Sequence, residues 1–283
     1  MPQALVIKAP GTNCDAEMCR AFEAAGAKAT LLHLDALIKD PARIGQFDLI
    51  GFPGGFSYGD DIASGRVFAM KVRERLYPQL RESVSRGCCM IGACNGFQVM
   101  VQIGLLPGPI SGEEWPSNAA PEQTVALTDN VSARFCDRWV GMEYVPESVC
   151  VWTKGLASGP MIRTGIAESG YLDQASLADI NTLPVAHGEG RFTGLNASVL
   201  DRLEKSGQVA CRYRDNYNGS ERAIAGICDA TGRIFGLMPH PERYLEWTRH
   251  PYWTRLPQSI RSLETPGLRM FRNAVEAVTH ASV

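Results

Sequence analysis

This chain predicts an α/β fold, a mostly parallel central sheet flanked by helices on both faces with added antiparallel hairpins. Three observations carry the expectation. Residues 5–9 form an apolar run broken only by Lys8, then a loop and a helical pattern, and this β-loop-α unit recurs along the first third of the chain. Its early strands read as near-continuous apolar runs, as strands covered on both faces do. From Gln123 onward the texture changes to shorter runs separated by turn signals.

The elements follow in order. After the first strand, Pro10-Gly11-Thr12-Asn13 breaks the run, and residues 14–25 carry Met18, Ala21, Phe22 and Ala25 at helical spacing with Gly26 as the stop. Residues 29–34 and 47–52 predict the second and third strands, 62–85 a helical stretch, and 88–91 a fourth strand feeding a helix after Cys94. Loops 10–13, 53–61 and 92–96 then fall at the carboxyl ends of strands, where such sheets bind ligands. Further on, Asn218-Gly219 between runs 208–213 and 223–228, and Thr231-Gly232 before 233–238, predict hairpins. A last helix over 268–278 has Met270, Phe271, Ala274, Val275 and Val278 on one side. With no repeat or low-complexity linker, residues 1–283 read as a single domain, 146–181 as an insertion without clear periodicity, and 244–283 as a C-terminal extension with a helix.

Composition narrows the function classes. At 283 residues, 45% hydrophobic and 20% charged, the chain buries a full core. A net charge of −2 and a pI near 6.2 supply no field for a polyanion, which argues against a nucleic-acid partner. No segment approaches the roughly 20 apolar residues of a membrane span, and the apolar start is too short for a signal peptide, so the expectation is a cytoplasmic protein with no membrane partner. The nine cysteines are odd in number and several lie in apolar runs, which suggests reduced thiols. Cys14 and Cys19 are spaced i, i+5, and without a C-x-x-C or H-x-x-x-H pair no metal site is expected. Neither a G-x-x-x-x-G-K-[ST] loop nor a helix-opening G-x-G-x-x-G occurs.

The chemistry centres on Gly92-Ala93-Cys94-Asn95-Gly96, the G-x-nucleophile-x-G spacing of a nucleophile elbow with a thiol as nucleophile. The free N–H groups and positive dipole end of the following helix favour a thiolate there. Such a nucleophile needs a base, and the base an orienting group. Two H-x-E pairs compete. His240 and Glu242 lie between Pro239 and Pro241 after a strand, where an extended segment points i and i+2 to the same side. His187 and Glu189 have the same spacing, bracketed by Gly188 and Gly190. Residue spacing leaves that rivalry open. Gly54 and Gly55 follow a strand of the same sheet, where a Gly-Gly loop brings a backbone N–H to complete an oxyanion hole with the N–H of Asn95. Together these features imply acyl chemistry through a thioester.

Gly92–Gln98, the loop Pro53-Gly54-Gly55-Phe56-Ser57-Tyr58-Gly59-Asp60, Pro184–Gly190 and Met238–Arg243 together resemble the family of phosphoribosylformylglycinamidine synthase glutaminase subunits, which are class I (triad-type) glutamine amidotransferases with a flavodoxin-like sheet. Pro10–Asp15 and Asn218-Gly219-Ser220 look similar too, in the family's order. The resemblance implies a triad of Cys94, His240 and Glu242, an oxyanion hole at Gly55 and Asn95, and glutamine contacts from Gly54, Gln98, His187 and Glu189. It implies hydrolysis of glutamine to glutamate and ammonia, with the ammonia used by a separate synthetase subunit; a small accessory subunit is a further implied partner. No cofactor is expected in this chain, ATP and Mg being the synthetase's. The alternatives are a glutaminase serving another synthetase and a catalytically silent regulatory or scaffold subunit.

Overall fold

The computed structural model describes residues 1–110, 112–117, 119–157, 180–256 and 258–280. The chain begins β1 (Gln3–Lys8), α1 (Asp15–Ala24), β2 (Lys28–His33), α2 (Leu34–Lys39), β3 (Leu49–Phe52), α3 (Arg66–Arg75), α4 (Tyr77–Ser85), β4 (Cys89–Ala93) and α5 (Asn95–Ile103). Crossovers return each strand to the same direction, so β2, β1, β3 and β4 lie side by side and parallel. Then follow β5 (Val125–Thr128), β6 (Cys136–Tyr144), β7 (Thr182–His187), β8 (Arg191–Gly194), α6 (Ala197–Lys205), β9 (Val209–Tyr213), β10 (Ile224–Cys228), β11 (Ile234–Leu237), α7 (Gln258–Arg261) and α8 (Pro266–His280). Among the described residues the main sheet has the order β2-β1-β3-β4-β11-β10-β9-β6-β7, and β5 pairs with β8 apart from it. Strand β11 joins the two halves, parallel to β4 and antiparallel to β10.

The central strands β1, β3, β4, β10 and β11 are buried on both faces because they carry apolar side chains in both directions. From β1, Ala4 and Val6 enter one core with Met18 and Phe22 of α1 and Phe271 of α8. Leu5 and Ile7 enter the other, with Phe52, Phe68 of α3 and Phe97 of α5. Phe22 meets Phe271 edge to face at 5.2 Å, and Asn273 of α8 donates to the carbonyls of Trp152 and Lys154, both at 2.9 Å. The described part of the C-terminal extension, residues 244–256 and 258–280, thus closes one core, with Tyr244 and Trp247 buried. Of the expected insertion, residues 146–157 pack against the body through buried Trp152, whose indole donates to the Arg233 carbonyl at 2.9 Å; residues 158–179 of it lie outside the described residues.

Two sequence expectations are corrected. The helical stretch expected over 62–85 is two helices. Residues 62–65 are irregular, with left-handed φ at Ile62 (73°) and Gly65 (74°), and Leu76 (φ −127°) separates α3 from α4. Pro78 starts the second helix, since proline fits a first turn but not a helix interior. Helix α2 was not expected; the His33 ring caps it by accepting from the Asp35 N–H at 3.2 Å. No helix among the described residues is long and apolar enough to cross a membrane.

Candidate active site

The three expected loops meet at the carboxyl ends of β1, β3 and β4. Thr12 and Gly55 form an antiparallel bridge, closed by Phe56 N–H to Gly11 O at 3.0 Å and Asn13 N–H to Gly54 O at 3.3 Å, so the Gly55 N–H lies outside the bonded pair. Gly55 has φ 138°, and a Cβ there would sit 2.7 Å from the Asn13 nitrogen. Only glycine combines that dihedral with so close a backbone approach.

Cys94 occupies the expected elbow. Its φ of 52° and ψ of −110° are strained for a non-glycine residue, at a typical cost of about 1–3 kcal/mol. The glycines beside it explain how the turn is held. A methyl on Gly96 would lie 1.8 Å from the Phe52 carbonyl oxygen, and one on Gly92 2.5 Å from the Met100 sulfur, so α5 packs directly on β3 and β4. Phe97 and Gln98 N–H both donate to the Cys94 carbonyl, leaving the N–H groups of Asn95 and Gly96 as first-turn donors without an intrahelical acceptor. The thiol donates to the Ala186 carbonyl of β7 at 3.6 Å.

Of the two H-x-E pairs, the structure joins one. His240 Nδ1 lies 2.6 Å from Glu242 Oε1, with both side chains buried. The extended geometry expected for this segment is corrected: residues Pro241–Arg243 form a 3-10 turn with His240 at its N-cap, because proline is compatible with the first position of such a turn. The turn, anchored by His240 N–H to Pro184 O at 2.9 Å, still brings the carboxylate back to the ring. Burial alone would lower the His240 pKa, but the Glu242 carboxylate, Cys94 and Cys14 outweigh it and hold the imidazole well above its usual value. The His240 Nε2 nitrogen makes no hydrogen bond to a described protein group.

His187 and Glu189 part company. His187 Nε2 lies 2.6 Å from the Tyr217 hydroxyl, its ring packs under Gly190, where a methyl would come within 2.1 Å, and burial, reinforced by the charge of His240, pushes its pKa down to about 4. The Glu189 carboxylate instead accepts from the Ser64 N–H at 3.3 Å, and its carbonyl accepts from Gln98 Nε2 at 2.6 Å. Gln98 Oε1 in turn accepts from Asn95 Nδ2 at 3.0 Å. Gln98, Glu189 and Ser64 line a cavity of about 270 Å³ that Cys94 does not line. A larger cavity of about 710 Å³, between residues 151–156 and α8, lies away from the nucleophile and holds none of this chemistry. Asn218-Gly219-Ser220 braces the His187 segment, with Asn218 Nδ2 donating to Gly190 O at 2.8 Å and Ser220 Oγ accepting from Phe192 N–H at 3.0 Å.

Gly54 serves a purpose the sequence did not reveal. A methyl there would lie 2.7 Å from His240 Cε1 and 3.3 Å from the Cys14 sulfur, so its bare backbone is the seat of the histidine ring. Cys14, Arg243 and Tyr217 also escaped as participants; Tyr217 left no signal in the sequence, whereas Cys14 stands conspicuously between a turn and a helix start. Ligand atoms of Cys14, His240 and Glu242 lie within 4.8 Å of one another, close enough to share a metal ion, but Arg243 donates to that sulfur at 3.0 Å and already sets a positive charge there.

Residues 1–278 match the CobB/CobQ-like glutamine amidotransferase domain family. The phosphoribosylformylglycinamidine synthase subunit PurQ of Dehalococcoides mccartyi is 38% identical over 281 residues, covering 97% of this chain and 96% of the relative. Its namesake in Methanococcus maripaludis is 36% identical over 295 residues, with 98% and 97% covered. Among solved structures, a chain of PurLQS from Thermotoga maritima superposes with a TM-score of 0.67 at 27% identity, covering 97% of this chain and 98% of that one. The chain therefore belongs to the CobB/CobQ-like glutamine amidotransferase domain family, with the mostly parallel, helix-flanked sheet of class I members.

Proposed function

We propose that this chain is the glutaminase subunit of phosphoribosylformylglycinamidine synthase, hydrolysing glutamine and passing the ammonia to a synthetase subunit in purine biosynthesis. Full-length kinship with proteins of that name supports the activity and the partner; the kinship with a PurLQS chain supports a small accessory subunit beside the synthetase. The observation that carries the chemistry is a strained elbow cysteine facing a fold in which His240 and Glu242 are buried and bonded at 2.6 Å.

In this reading the Cys94 sulfur attacks the side-chain amide carbon of glutamine while His240 takes the thiol proton. The raised His240 pKa favours the imidazolium that results. Glu242 holds the ring by Nδ1, which leaves Nε2 to exchange the proton. The N–H groups of Asn95 and Gly55 receive the charge that develops on the amide oxygen. His240 then protonates the leaving nitrogen, ammonia departs, and a γ-glutamyl thioester remains on Cys94. Water, deprotonated by His240, attacks the thioester to give glutamate and restores the thiol. Gln98 and Glu189, beside the 270 Å³ cavity, hold the amino-acid end of glutamine, Glu189 offering a carboxylate to its ammonium. His187 supports that wall as a neutral ring. ATP and Mg belong to the synthetase, and no cofactor is assigned to this chain. The free cysteines fit the reducing cytoplasm as the place of work.

The test is glutamate release from glutamine by wild type and Cys94→Ser, each with and without the synthetase subunit, the accessory subunit, ATP and phosphoribosylformylglycinamide. Strong activation of wild type by the full mixture with a dead variant is the expected result. Activation only by a different synthetase would reassign the partner, and no release under any condition would favour a silent scaffold.

A further inference from the structure

We propose that Cys14 is a positioning residue for the reaction at Cys94, its sulfur clipping the Arg243 guanidinium beneath the His240–Glu242 pair. The inference rests on the glutaminase reading above. Cys14 is the N-cap of α1, a position where Ser, Thr, Asp or Asn ordinarily caps the helix through its side chain. Here the side chain makes no capping bond. The sulfur turns into the site, 4.0 Å from His240 Nδ1, and accepts from Arg243 Nη2 at 3.0 Å while its own proton goes to Asn13 Oδ1 at 3.2 Å. It is 1% exposed, pressed between the histidine ring, the Gly54 backbone and the guanidinium.

The Glu242 carboxylate is what needs this support. Its Oε1 holds the histidine, but Oε2 is buried without a hydrogen bond, an arrangement that costs free energy unless opposite charge stands nearby. Arg243 supplies that charge, acting on both Glu242 and Cys14. Among the described residues its guanidinium makes no other side-chain hydrogen bond. Its nearest carboxylate is Glu17, at 3.8 Å from Nε, and a cleft of about 190 Å³ lined by Glu17, Arg20, Glu242, Arg243 and Glu246 gives the guanidinium room to swing away. The sulfur keeps the cation folded behind the pair, so that ring and carboxylate keep one orientation toward Cys94.

The experiment compares wild type, Cys14→Ala and Cys14→Ser in the full synthetase complex, reading kcat and KM for glutamine together with the rate at which iodoacetamide labels Cys94, followed by peptide mass. Serine keeps a small acceptor for Arg243; alanine does not. Cys14→Ala is expected to lose about tenfold in kcat and in Cys94 labelling rate with KM within about twofold, the scale of a small misplacement of a catalytic group. Cys14→Ser is expected to recover most of both. Unchanged kcat and labelling in Cys14→Ala overturns the proposal, as does equal loss in both variants, which would mark the thiol as packing alone. Should wild type release no glutamate while Cys14→Ala slows Cys94 labelling and Cys14→Ser restores it, the positioning stands and the glutaminase reading falls.

Discussion

His240-Pro241-Glu242 and His187-Gly188-Glu189 have the same spacing and opposite fates. In the first, a proline-started 3-10 turn bends the carboxylate onto the ring at 2.6 Å, and the imidazole is pushed up in pKa. In the second, the ring ends strand β7 pinned by Tyr217, the carboxylate leaves for Ser64, and the imidazole is pushed down to about 4. Both rings are buried, so desolvation acts on each in the same direction. The decisive difference is whether a carboxylate follows the ring into the interior. An H-x-E motif therefore names a possibility, and the backbone between the two residues decides whether it becomes an acid–base pair.

The sharpest way to break this comparison is to remove each ring. His240→Asn is expected to lower kcat for glutamate release by about a thousandfold, within the range for a general acid–base group, and His187→Asn by less than about tenfold with its main effect on stability. Equal losses would erase the distinction. Next come the carboxylates. Glu242→Gln should cost about a hundredfold in kcat with little change in KM, whereas Glu189→Gln should act mainly on KM, by about tenfold, since it faces the cavity rather than the ring; steady-state kinetics on both variants separates the two.

Glycine substitutions probe the seats of the rings. Gly54→Ala would press a methyl on His240 and Gly190→Ala one on His187. Each is expected to destabilise by about 1–3 kcal/mol by overpacking, measured by urea unfolding, but only Gly54→Ala should also lower kcat per titrated Cys94. Last comes the pH dependence of stability, with a slope of at most about 1.4 kcal/mol per pH unit for each ring. His240, raised in the fold, contributes stability that is complete below its unfolded value of about 6.5 and is lost as pH rises through the folded value. His187, lowered from 6.5 to about 4, makes stability climb with pH between those values, because there the unfolded chain binds the extra proton. Urea midpoints across pH should lose the alkaline limb in His240→Asn and the acid limb in His187→Asn.

Local chemistry was legible in the sequence wherever neighbours in the chain are neighbours in space. The elbow is such a case: Gly92, Cys94 and Gly96 announced a sharp turn, and the close contacts of Gly92 with α5 and of Gly96 with β3 are the reason for it. The alternation of strands and helices gave the parallel half of the sheet for the same reason. What could not be read depends on distant partners. That Tyr217 would claim His187, that Gly54 would lie under His240, and that Cys14 would meet Arg243 across 229 positions follow from strand order and not from spacing. The break at Leu76 was missed because apolar periodicity runs through it, while Pro78 permits a fresh start as readily as it forbids continuation.

The most direct test of the account is to quench the complex with acid while it turns over glutamine and to weigh the peptide that contains Cys94. The account predicts one γ-glutamyl group on Cys94 in wild type and in His187→Asn, and none in His240→Asn. Steady turnover with Cys94 unmodified under slow-deacylation conditions, an adduct on another residue, or full acylation without His240 would contradict it.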